Sequence, residues 1–152
     1  MLIPAAEHSY KQGLEAMSKG RRKQAMALFE AAIEIERRFS RARPQPRYLS
    51  YYGLCLALER NQIGEALRYC REAVTLESFN PDIRCNLGRV LLRAGRRREA
   101  YRCLVRGLNL ETDHRATTSA LRVMGVRKLP VLPFLGRGNP INVFLGRIRK
   151  AG

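Results

Sequence analysis

The stretch "GRVLLRAGRRREAYRCLVRGLNL", residues 88–110, decides the fold. Its apolar residues recur at three and four on both sides of a break at Ala94-Gly95. That spacing marks one face of a 3.6-residue period, so two helices flank a tight turn. Gly88, Ala100 and Gly107 are small enough for the two helices to approach closely, and Leu104 fills the gap beside them. A hairpin of this size cannot bury its own apolar face, so it has to stack on others like it.

The same arrangement occurs twice upstream, in "GLEAMSKGRRKQAMALFEAAIEI" (13–35) and "LCLALERNQIGEALRYCREAVTL" (54–76). The alanines Ala25, Ala66 and Ala100 fall twelve residues after each start. Phe29, Cys70 and Leu104 follow four later, then Ala32, Ala73 and Gly107. Ala66 and Ala100 are 34 residues apart, whereas Ala25 and Ala66 are 41 apart, so seven extra residues separate the first two units. The insert "RRFSRARPQPRYLS" carries Pro44 and Pro46 and reads as a loop. Helices are expected at about 5–18, 21–38, 47–60, 63–77, 81–93 and 97–110, with Asn80 and Pro81 marking one start. A further helix at about 114–125 would cap the array.

Three such units in series resemble the tetratricopeptide repeat, a helix–turn–helix unit of about 34 residues. The resemblance covers roughly residues 5–112 and departs at Leu54, where the family prefers a small residue and Gly53 stands just before. The family's closing proline is replaced by Arg37, Ser78 and Thr112. The resemblance implies an all-α solenoid of three stacked hairpins plus a capping helix. The expected organisation is a repeat domain over 1–126, with units at about 5–39, 47–80 and 81–112, and a separate segment over 127–152.

That last segment, "RKLPVLPFLGRGNPINVFLGRIRK" (127–150), is basic and has no acid. Pro130 and Pro133 forbid a helix through "LPVLPFLG". A short helix restarts at Asn139-Pro140. Leu129, Val131, Leu132, Phe134, Leu135 and Phe144 are the candidate docking side chains. Three destinations are open: the chain's own repeats, a partner protein, or a charged surface of membrane or nucleic acid.

The resemblance also implies a binding surface, because the family's first helices line a concave groove that holds an extended peptide or a partner helix. Carried over by position, the lining is Tyr10, Leu14, Met17, Tyr48, Tyr51, Tyr52, Cys55, Asp82, Cys85, Asn86, Arg89 and Arg93. One subgroup clamps a terminal carboxylate with Lys, Asn and Arg at fixed groove positions. Here Tyr10, Leu14, Asp82 and Asn86 stand at those positions, so that clamp is not expected.

The net charge is +16, and 24 of the 29 cations are Arg. Such a surface suits anionic partners, although Arg also serves as an ordinary helix-surface cation. The triplets Arg21-Arg22-Lys23 and Arg96-Arg97-Arg98 open second helices, the unfavourable end for cations. Arg41, Arg43 and Arg47 beside Tyr48, Tyr51 and Tyr52 form a possible phosphate-and-base grip.

Cys55, Cys70, Cys85 and Cys103 are spaced 15, 15 and 18 apart with no paired short spacing, so buried thiols rather than zinc ligands are expected. His8 and His114 are the two histidines, and no Gly-rich phosphate loop follows a strand. No catalytic site and no cofactor are expected. "MLIPAAEHSYKQG" has neither the basic start nor the apolar run of a signal peptide, and a cytoplasmic location is expected. The expected function is non-enzymatic: an adaptor that binds a protein or peptide with an acidic and apolar segment, by groove or tail. The alternative is a nucleic-acid-associated repeat protein.

Overall fold

The computed structural model describes residues 3–40 and 43–125, and the expectations for Arg41 and the 127–152 segment lie outside them. Seven helices follow in order: α1 Pro4–Ser18, α2 Arg22–Phe39, α3 Pro46–Cys55, α4 Ile63–Leu76, α5 Pro81–Arg93, α6 Arg97–Leu110 and α7 Arg115–Val123. A π-helical turn, Leu56–Arg60, extends α3. The helices pair as α1–α2, α3–α4 and α5–α6, and the pairs stack through α2–α3, α4–α5 and α3–α5, with α7 against α5 and α6. This is the all-α solenoid of three hairpins and a capping helix that the repeats imply.

Local chemistry sets the boundaries. Pro4, Pro46 and Pro81 open α1, α3 and α5, where the missing N–H has no intrahelical partner to lose. Asn80 caps α5 by accepting from the Ile83 N–H at 3.3 Å. Glu36, itself buried, accepts the Gln45 N–H and ties the insert's end to α2. The first helices stop at left-handed residues: Gly20 and Gly95 at φ 72°, Asn61 at 54°, and Gly125 at 81° ending α7.

Each hairpin closes on a glycine. A Cβ on Gly13 would lie 2.5 Å from the Phe29 ring, and one on Gly88 would lie 2.6 Å from Leu104. In the second hairpin the close approach is made by Gly53, whose Cβ would meet Cys70 Sγ at 2.8 Å and the Ala66 carbonyl oxygen at 2.9 Å. The expected departure at Leu54 is therefore corrected: the small position is filled, one residue earlier. Gly53 and Ala66 are thirteen apart, against twelve for Gly13–Ala25 and Gly88–Ala100.

The π turn absorbs the extra residue. Arg21 N–H bonds to the Ala16 carbonyl and Arg96 N–H to that of Leu91, both five back. Gln62 N–H reaches six back, to Leu56. A one-residue insertion inside a helix is accommodated by such a bulge, and Asn61, a residue tolerant of the left-handed region, stands where the other units have glycine.

These contacts separate two glycine-to-alanine changes. Gly53→Ala should lower stability by about 1–3 kcal/mol, because backbone and a buried sulfur must shift. Gly64→Ala, with nothing within 4 Å of its Cβ, should raise it by about 0.5–1 kcal/mol through helix propensity. Paired guanidinium unfolding curves measure both.

Candidate functional site

Across the first helices the concave face divides in two. Its N-terminal half is filled by aromatic packing. Tyr10 lies with its ring centroid 4.9 Å from Tyr48, 5.8 Å from Phe29 and 5.8 Å from Tyr51. Arg47 stacks over Tyr10 and Tyr48 at 5.1 and 5.4 Å, and its guanidinium donates to Glu7 Oε2 at 2.7 Å. The Tyr48 hydroxyl donates to the same oxygen at 2.8 Å. Tyr52 turns toward the second helices, donating to Glu30 at 2.9 Å and meeting Tyr69 edge-on.

Placement therefore differs among the expected groove residues. Tyr10, Tyr48, Tyr52, Cys55, Cys85 and Asn86 are buried between helices. Asn86 donates to Ser50 Oγ at 3.1 Å, joining α5 to α3. Leu14, Met17, Tyr51 and Arg89 are half-buried, and Asp82 and Arg93 are exposed. Of the grip expected from Arg41, Arg43, Arg47 and the tyrosines, Arg47 is occupied by Glu7, and Tyr48 and Tyr52 are buried; Arg43 is exposed, Tyr51 is half-buried, and Arg41 lies outside the described residues.

The C-terminal half holds an open groove of about 540 Å³, lined by Leu58, by Arg89, Leu92 and Arg93 of α5, and by Ala116, Ser119, Ala120 and Val123 of α7. The α7 residues recur at three and four, forming one wall of small side chains that is apolar apart from Ser119. Val123 at its end is 82% exposed. Neither Arg89 nor Arg93 makes an ion pair among the described residues. Leu58 and the α7 wall were missed in the sequence. The π turn moves Leu58 relative to the repeat template, and a capping helix carries no repeat signature.

His114 fixes α7 against α5. Its Nδ1 accepts from the Thr117 backbone N–H at 3.3 Å, capping the helix, and lies 2.6 Å from Thr117 Oγ1. With Nδ1 accepting, Nε2 carries the proton and donates to Asp82 at 3.0 Å. Hydroxyl, imidazole and carboxylate thus stand in the order of a hydrolytic triad, but Thr117 is fully buried and no substrate carbonyl can reach it. The array is a helix cap. Among the described residues no group of three or more His, Cys, Asp or Glu could hold a metal ion. The four cysteines are buried free thiols. Burial pushes Cys55 up to about 12 and Cys103 up to about 11, so the thiolate is disfavoured at both.

Two segments, residues 7–39 and 57–122, match tetratricopeptide-repeat family models. The chain belongs to the tetratricopeptide-repeat family. Among solved structures, the Arabidopsis OM64 TPR domain is 18% identical with a TM-score of 0.61, covering 80% of this chain and 94% of that one. The first TPR of Spaghetti (RPAP3) bound to the HSP90 peptide SRMEEVD is 16% identical, with a TM-score of 0.61 and coverage of 80% and 90%. The second TPR domain of human RPAP3 in complex with the HSP70 peptide SGPTIEEVD is 16% identical, with a TM-score of 0.59 and coverage of 80% and 95%. A comparison with curated proteins finds no match. Among the described residues no helix is long and apolar enough to cross a membrane.

Two measurements check this geometry. His114→Ala should cost about 1–2 kcal/mol, the value of a lost cap, and His114→Asn should recover most of it, since Asn also caps. Burial, the largest cause, pushes Tyr10 up to about 12 from the ordinary 10.0 and raises Tyr48, Tyr51 and Tyr52 further. The fold then retains phenolic protons that the unfolded chain releases above about pH 10. Stability should fall as pH rises from about 10 through about 12, read as a falling melting temperature together with delayed phenolate absorbance.

Proposed function

We propose that the protein is a non-enzymatic adaptor whose α5–α7 groove holds a segment of another protein, one that combines apolar side chains with an acidic group. The observation that carries this is the pairing of an open apolar wall with two arginines that make no ion pair among the described residues. A carboxylate placed there meets the guanidinium fork, while Leu58, Leu92 and Val123 take up apolar neighbours. The small residues of α7 allow a backbone to lie close. Solved structures of the same fold hold peptides ending in acidic residues, which supports groove binding as a class.

The chain's own 127–152 segment suits this groove less well. It contains no Asp or Glu and carries Arg127, Lys128, Arg137, Arg147, Arg149 and Lys150, which would face Arg89 and Arg93 with like charge. In this reading Leu129, Val131, Leu132, Phe134, Leu135 and Phe144 of that segment form a second docking element for the same partner, and the repeat domain acts as the holder.

A random peptide library selected on the full-length chain tests the proposal. Selected peptides should carry Asp or Glu beside apolar residues. Arg89→Ala with Arg93→Gln should weaken them at least tenfold, about 1.4 kcal/mol or more, and Val123→Asp should abolish binding. Peptides that bind all variants equally would remove the groove from the mechanism. Tighter peptide binding by a chain ending at Val126 would show that the tail competes for the groove.

A further inference from the structure

The solenoid sorts its charge by edge. Because each hairpin is antiparallel and the hairpins stack in parallel, all turns inside hairpins fall on one edge and all connections between hairpins on the other. The first edge comprises residues 15–24, 56–65, 90–99 and the end of α7 at 119–125; it carries ten cations against four acids. The second comprises 4–11, 34–40, 43–47, 75–84 and 109–118; there, seven cations face seven acids. The excess positive charge of the repeats is therefore concentrated along a single curved edge.

Three further observations separate this edge from an ordinary solvated surface. All ten cations are exposed, and Arg21, Lys23, Arg60, Arg98 and Arg122 make no ion pair among the described residues. The triplets at Arg21 and Arg96 open α2 and α6 at ends that have no side-chain cap. There the helix dipole opposes them by some tenths of a kcal/mol each; Arg22, Arg96 and Arg97 meet Glu59, Glu99 and the Met124 carbonyl, whereas Arg21, Lys23 and Arg98 make no ion pair among the described residues. Eight of the ten are Arg, whose fork matches phosphate oxygens.

We infer that this edge, set by the turns after α1, α3, α5 and α7, is a docking surface for the phosphate backbone of a nucleic acid, contacted without reading bases. The surface has no exposed aromatic side chain to stack bases. The exposed Phe39, Leu76, Phe79 and Leu110 all lie at the other edge, and Val123 lines the groove. Val123 is the one strongly exposed large apolar side chain on the basic edge among the described residues, which disfavours a membrane, a surface that rewards apolar insertion beside cations. The edge and the groove meet at the ends of α5 and α7, where Arg93 belongs to both, while Arg21, Lys23, Arg60 and Arg98 lie outside the groove lining.

The test uses the full-length chain and a labelled 20-nucleotide RNA of mixed sequence, with anionic vesicles (phosphatidylglycerol in phosphatidylcholine) and polyglutamate as alternative probes. One variant neutralises the edge: Arg21→Gln, Lys23→Gln and Arg98→Gln. A control removes equal charge from the other edge: Arg37→Gln, Arg43→Gln and Arg115→Gln. None of these six makes an ion pair among the described residues. The edge variant should bind RNA about tenfold or more weakly and lower the slope of log affinity against log salt by about two. The control should lose about threefold or less. The melting temperature of the edge variant should stay level or rise, since cations leave helix N-termini, which excludes unfolding as the cause. Equal loss in both variants would mean that net charge alone is responsible and would overturn the inference. So would absence of RNA binding, or edge-dependent binding to vesicles or polyglutamate in place of RNA. A peptide selected on the groove should bind the edge variant as it binds the parent, so failure of one reading leaves the other intact.

Discussion

The contact of a first-helix glycine with one large side chain of the second helix holds each hairpin together: Gly13 on Phe29, Gly53 on Cys70, Gly88 on Leu104. Phe29, Cys70 and Leu104 are fully buried by that approach, and burying a side chain such as Phe or Leu is worth roughly 1.5–3 kcal/mol. Everything else is positioned by it. The interhelix distance sets which face of α1, α3 and α5 looks into the concave side, and the stacking of one hairpin on the next sets where the turns fall. A fold built this way has one apolar core running through all three hairpins, with a smaller cluster under α7, and its steps are tied by contacts such as Ser50–Asn86 and Tyr48–Glu7.

The π turn at Leu56–Arg60 shows how the contact governs the chain around it. One more residue lies between Gly53 and Ala66 than in the other units. The array keeps the glycine contact and the turn, and places the surplus in the helix between them. The i→i+6 bond from Leu56 to Gln62 and the left-handed Asn61 restore the chain direction that Gly20 and Gly95 set elsewhere. The same adjustment brings Leu58 to the groove beside Arg89.

Polar groups serve two different ends in this molecule. Glu7, Glu36, Asp82 and His114 tie elements together: Glu7 holds Arg47 and Tyr48, Glu36 holds the insert, and Asp82 with His114 holds α7. No buried side-chain nitrogen or oxygen among the described residues lacks a hydrogen bond. Among the described residues Arg21, Arg60 and Arg98 of the hairpin turns make no ion pair, and neither do Arg89 and Arg93. The division between satisfied and unsatisfied charge separates what maintains the fold from what is available to a partner.

The sequence by itself determined the repeats, the helix boundaries to within a residue or two, the capping role of Asn80, and the burial of the four cysteines. These are legible because helical periodicity, prolines at first turns and glycines at turn ends are local signals. The family resemblance pointed to Arg89 and Arg93 as groove residues, and both line the α5–α7 groove. Only the tertiary structure decided that Tyr48, Tyr52 and Cys55 are core rather than lining, that Gly53 and not Leu54 is the small residue, and that α7 supplies the groove's far wall. Those depend on the rotational phase of one helix against another. A template of fixed spacing loses that phase at a one-residue bulge, and a capping helix has no repeat partner from which to read it. The segregation of charge to one edge is likewise absent from any single stretch of sequence, since it arises only when hairpins distant along the chain are stacked with their turns aligned.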